Sequence, residues 1–141
     1  MRELLYSKQV ELSSKIIHKQ ARYRVYATVL SYDKTSAFHE RALDDIGECV
    51  REYSELTEQA AAILPTDLWI EIRRLSTAMT DLVTDYDVVS KIDQDKLIAI
   101  LAIDAKVALL SRAVLGVDEL TGESLRLFSK RNGIETLTIL S

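Results

Sequence analysis

A single cysteine, a single proline and only four glycines in 141 residues exclude several kinds of protein at once. Cys49 has no partner for an intrachain disulfide, so packing must hold the chain together, and a reducing compartment is expected. So few Gly and Pro leave few turns, which favours a small number of long helices over many short strands. The glycines stand far apart, so no glycine-rich phosphate loop forms. No apolar run reaches the ~18 residues of a membrane-crossing helix, and no signal-peptide core opens the chain. The longest apolar-rich stretch, Leu97 to Leu115, is broken by Asp104, Lys106, Ser111 and Arg112. It reads as a buried helix, and a cytoplasmic protein with no membrane span is expected.

Histidine is equally scarce. A di-iron bundle needs Glu-x-x-His pairs, but the residues three before His18 and His39 are Lys15 and Ser36. His-x-x-x-His and paired-cysteine spacings are missing too, which removes the usual zinc arguments. His39, beside Glu40, reads as a solvated first-turn residue. Cys49 falls between Ile46 and Tyr53 on an apolar stripe, where a small buried hydrophobe is expected.

What the chain does contain is apolar periodicity and a division of charge. Apolar residues at 48% and charged residues at 28% are globular values, and 141 residues suffice for one domain with a core. Residues 1–34 carry seven Lys and Arg against three acids, whereas residues 35–64 carry two Arg against seven acids. Both stretches read as long amphipathic helices, so the division predicts two facing, electrostatically matched partners. The overall charge of −4 argues against a nucleic-acid binder, which presents a basic surface.

The spacing predicts helices over 2–32, 36–64, 66–87 and 93–115, each with the 4-3 apolar repeat of side-by-side packing. Leu5, Leu12, Ile16, Tyr23, Tyr26 and Leu30 form the first stripe, interrupted by Gln9 and Lys19. The second runs through Phe38, Ala42, Ile46, Cys49, Tyr53, Leu56, Ala60 and Ile63 until Pro65 stops it. Thr66 is placed to cap the third helix, whose stripe is Leu68, Ile72, Leu75, Met79, Leu82, Tyr86 and Val89. Asp93 is placed to cap the fourth and Gly116 to end it. That helix is apolar over most of its circumference, with Leu97, Ile100, Ile103, Val107, Leu110 and Val114 on the seam. Leu101, Ala102, Ala105, Leu109, Ala113 and Leu115 widen it, so a central position in contact with at least two neighbours is expected. A short C-terminal fifth helix over 118–131 and a tail over 134–141 complete the reading. The fold class is all-α: an antiparallel up-down four-helix bundle with a long first helix.

Two carboxylate features come closest to chemistry. Glu40, Asp44, Glu48, Glu52 and Glu55 line one face of the second helix. Glu52-x-x-Glu55 matches half of the Mg²⁺-binding pattern of all-helical nucleotide pyrophosphatases, but no Glu-x-x-Asp follows. A solvated face, or one opposed by the basic first helix, is the expectation. Asp104 lies at the edge of the most apolar helix, where a carboxylate needs a partner. Arg73, Arg74 and Tyr23 are the candidates, and a polar element of a ligand cavity is the functional alternative. Tyr23, Tyr26 and Tyr53 read as bundle residues with hydroxyls at the rim.

Arg22-Tyr23-Arg24-Val25-Tyr26-Ala27-Thr28-Val29-Leu30, the acidic second helix and Arg112-Ala113-Val114-Leu115-Gly116-Val117-Asp118-Glu119-Leu120-Thr121 resemble small bacterial helical-bundle proteins of unassigned function. The likeness covers residues 16–129 and rests on packing residues. It implies a bundle and a membrane association through an N-terminal segment not present here. It implies no activity.

The reading is a non-enzymatic interaction or scaffold module, self-associating or binding a helical protein partner. No catalytic, cofactor-binding or metal-binding residue is assigned. The first helix is longer than the third by about two turns, so Leu4, Leu5, Val10 and Leu12 are expected to stay exposed in a monomer. Leu5, Leu12 and Ile16 are therefore the interface candidates for a homodimer. The alternatives are a metal-dependent nucleotide-processing enzyme using the acidic row, and a nucleic-acid regulator using the basic first helix.

Overall fold

The computed structural model describes residues 2–32 and 37–116, with side chains from residue 4 onward. It is all-helical: α1 (Arg2–Tyr32), α2 (Ala37–Ile63), α3 (Thr66–Val89) and α4 (Gln94–Leu115). No strand occurs among the described residues. The predicted fifth helix, the tail and the Asp33–Thr35 turn lie outside them. Each helix packs on its neighbours in the order α1–α2–α3–α4, and α4 closes on α1. The four-helix expectation holds.

Local chemistry sets the boundaries. Pro65 itself occupies the N-cap of α3 without a side-chain bond, so Thr66 begins the helix and does not cap it. Ser90 ends α3 in the left-handed conformation, a strained backbone for a residue with a Cβ. Asp93 caps α4 as expected, its carboxylate accepting from the amides of Asp95 and Lys96. Gly116, at φ 73°, ends α4 where only glycine is unstrained.

The core is a ladder of apolar layers through the four helices: Ile16, Tyr23, Ile46, Tyr53, Ile72, Leu75, Met79, Leu82, Ile100 and Val107 are all buried. Ends of the predicted stripes fall outside it. Phe38 and Val89 are exposed, each in a terminal turn of its helix.

Two larger expectations are corrected. The N-terminal half of α1 is no free overhang: Leu12 and Ile16 are 3% and 0% exposed within one chain. Although α1 outruns α3, α2, with 27 residues against 31, runs beside α1 almost to its start. Gln9 donates to the carbonyl of Ile63 at 2.7 Å and Tyr6 to that of Leu115 at 3.1 Å, tying α1 to the ends of both neighbours. Val10 is half-buried, and Leu4 and Leu5 alone of the named overhang stay exposed. Of the three interface candidates, Leu12 and Ile16 belong to the core.

Nor is α4 central. It has the two neighbours expected of it, α3 and α1, but only Ile100, Asp104, Val107 and Ser111 are buried along it. A helix in a four-member ring meets two neighbours and turns its outer face to water, whatever that face carries.

Candidate functional site

The inner face of α4 meets α1 through polar groups. Asp104, Gln20, Ser13 and Ser111 are all buried. Tyr53 on α2 donates its hydroxyl to Gln20 Oε1 at 2.8 Å. Gln20 Nε2 in turn donates to Asp104 Oδ1, and Arg24 donates to Asp104 Oδ2. The result is one relay, Tyr53–Gln20–Asp104–Arg24, across three helices. The candidate partners Arg73, Arg74 and Tyr23 are engaged elsewhere. Arg74 binds Glu71, Arg73 lies over the Trp69 ring, and Tyr23 donates to the carbonyl of Met79. Arg24 reaches Asp104 because an exposed α1 position borders α4, which spacing within one helix does not disclose.

Burial pushes the Tyr53 hydroxyl well above its ordinary range, and the Asp104 charge adds to the shift. Tyr53 is therefore a fixed donor at any physiological pH. Ser13 and Ser111 lie two turns from Gln20 and Asp104 along their antiparallel helices, at one level of the bundle. Neither hydroxyl has a hydrogen-bond partner. A second buried carboxylate, Glu71, is held by Arg74 at 3.3 Å and by Lys106 of α4 at 3.1 Å. Sequence reasoning missed it, although its place beside Leu68, Ile72 and Leu75 was a signal. These arrangements satisfy charge and set register.

Between α1 and α2 a shallow depression of about 160 Å³ is lined by Lys19, Arg22, Tyr26, Asp45, Glu48, Cys49 and Glu52. Lys19 pairs with Glu52 across the interface, while Arg51 pairs with Glu48 and Glu55 along α2. Among the described residues the charge division thus gives one α1–α2 bridge; Arg24 turns instead to Asp104 of α4, and Lys15 and Arg51 pair within their own helices. Cys49 is buried with its thiol donating to the Lys19 carbonyl at 3.5 Å, and burial raises its pKa, which leaves it a poor nucleophile. Among the described residues no group of three His, Cys, Asp or Glu is placed to hold a metal ion. His39 is half-buried and not solvated, its Nε2 3.0 Å from the Tyr86 hydroxyl.

The hydrogen bond from Lys19 lowers the Glu52 pKa. A carboxylate with a depressed folded pKa adds stability above the ordinary carboxylate range and loses it as pH falls through the folded value. Glu52→Gln is therefore expected to cost ~0.2–1 kcal/mol at neutral pH and nothing in acid. Urea titrations at the two pH values measure this, and an equal cost at both would contradict it.

Among the described residues, the outward face of α4 carries apolar side chains that no neighbouring helix covers. Ile98 is 64% exposed and Leu109 58%, and Leu101, Ala102 and Ala105 are exposed between them. These residues recur at helical spacing along one side, so they form a continuous apolar stripe of about three turns. No helix among the described residues is long and apolar enough to cross a membrane. No protein-family model, no curated protein and no solved structure matches this chain.

Proposed function

We propose that this chain is a non-enzymatic interaction module whose working surface is the outward face of α4. The observation that carries the reading is the unbroken stripe Ile98–Leu101–Ala102–Ala105–Leu109, exposed on a helix whose opposite side is fixed by the relay to α1. Large aliphatic side chains left in water forgo ~1.5–3 kcal/mol each, and contiguous exposed apolar patches mark contact sites. The stripe also explains why α4 is apolar all round without being central: one side serves the bundle, the other a partner helix.

Rival readings have weaker support. Glu52 and Glu55, the carboxylates a Mg²⁺ enzyme would use, are both engaged by basic side chains. Arg24, on the basic helix a nucleic-acid regulator would use, is committed to Asp104. The interaction reading is tested by sedimentation of the full chain with Leu109→Glu and, as a control, Val25→Glu at an exposed position on α1. Association lost only in Leu109→Glu, with thermal unfolding shifted little in either, is the expected result. Association unchanged in Leu109→Glu, or lost equally in both, would remove α4 from the account.

A further inference from the structure

Hydroxyl groups within these helices mostly satisfy themselves. Thr28, Ser31, Thr57, Thr77, Thr80 and Thr84 each donate to the main-chain carbonyl four residues earlier, at 2.7–3.1 Å. Such a back-bond serves a helical hydroxyl without any neighbouring helix. Ser54 and Ser76 instead meet each other between α2 and α3 at 3.1 Å. Ser13 and Ser111 do neither, although they are the most deeply buried serines among the described residues, 1% and 2% exposed.

The two stand on facing helices at one level. Gln20 of α1 bonds Asp104 of α4, and seven residues in opposite directions along these antiparallel helices lead to Ser13 and Ser111. Seven residues are close to two whole turns, so both positions return to the face that meets the other helix. Farther along the same line Tyr6 donates to the carbonyl of Leu115, which brackets the level from the other side. A buried hydroxyl with no partner costs the folded state its desolvation, so such groups are rare in native proteins. Here two of them converge.

We infer that Ser13 and Ser111 hold one water molecule between α1 and α4. The chemistry of the place selects this ligand. Both groups are neutral and each can donate and accept, so their ligand must do both. An ion would need a counter-charge, and the buried carboxylate of this seam, Asp104, is already bound to Arg24 and Gln20. The adjoining core positions carry Leu12, Ile16 and Val107, all buried, which leaves the two serines as the polar side chains of the level. A buried water typically makes about three hydrogen bonds. The helical carbonyls of Gln9 and Val107, one turn before each serine, have a second lone pair for the third. The water thus continues the polar line of Gln20 and Asp104 along the seam where the ring of helices closes.

Ser13→Ala, Ser111→Ala and the double variant of the full chain test this in urea, with water-oxygen magnetic relaxation dispersion as the direct readout. Each single change is expected to lower the folding equilibrium constant about fivefold, the effect of one lost hydrogen bond. The double variant should cost little more than either single one, because both serines serve the same molecule. The parent should also hold one more long-lived water than either single variant. A gain in stability from either alanine, or no loss, would mean that the hydroxyls have no ligand and would overturn the inference. Full additivity would overturn it too, by giving each serine a separate partner. So would an unchanged number of long-lived waters, whatever the stabilities. None of these results depends on whether the outward face of α4 binds a partner.

Discussion

Replacing Ile16 with glutamate is expected to cost more than ~4 kcal/mol and to leave little folded protein. Ile16 is 0% exposed and sits in the α1 stripe between Leu12 and Tyr23. The change removes a buried aliphatic side chain, worth ~2–3 kcal/mol. It also puts a carboxylate at a fully buried position, which costs several kcal/mol more or forces its protonation. Leu5→Glu, three turns earlier on the same stripe but 46% exposed, should stay within ~0.5 kcal/mol of the parent. Urea unfolding followed by circular dichroism measures both. A folded Ile16→Glu protein with an unchanged midpoint would show that the N-terminal half of α1 is dispensable to the bundle.

The second large effect lies in the relay. Gln20→Leu should destabilise by ~2–4 kcal/mol, because it strands two buried groups at once. Tyr53 loses its acceptor and Asp104 keeps only Arg24. Asp104→Leu alone should cost less, since Arg24 is 45% exposed at its side chain and can turn to water. The double variant should then be more stable than the sum of the two costs implies, by at least ~1 kcal/mol. Strict additivity would mean that Gln20 and Asp104 act independently and that no relay exists. The cycle matters for function because this network fixes which side of α4 faces inward.

Much of the bundle is written in the chain as periodicity. Ile46, Cys49 and Tyr53 on α2, and Ile72, Leu75, Met79 and Leu82 on α3, sit in the core at the positions their spacing requires. Asp93 and Gly116 bound α4 by local chemistry that a few residues carry on their own. What spacing within one helix does not encode is which helix lies alongside. The partner of Asp104 depends on the level at which α1 passes α4, and Arg24 is set by that level. The burial of Leu12 likewise depends on the length of α2 and not on that of α3. The same limit applies to the outer face of α4. Leu101, Ala102, Ala105 and Leu109 read as extra core until the closed ring of four helices leaves them outside. Their 3-4 order was visible in the sequence, but its meaning required knowing which side was already occupied.

Sedimentation of the full chain over a concentration series tests the central claim most directly, because it reads association through the outward face of α4. The parent chain should associate, Leu109→Glu should sediment as a single copy, and Val25→Glu should match the parent. Association that Leu109→Glu leaves unchanged would contradict the account.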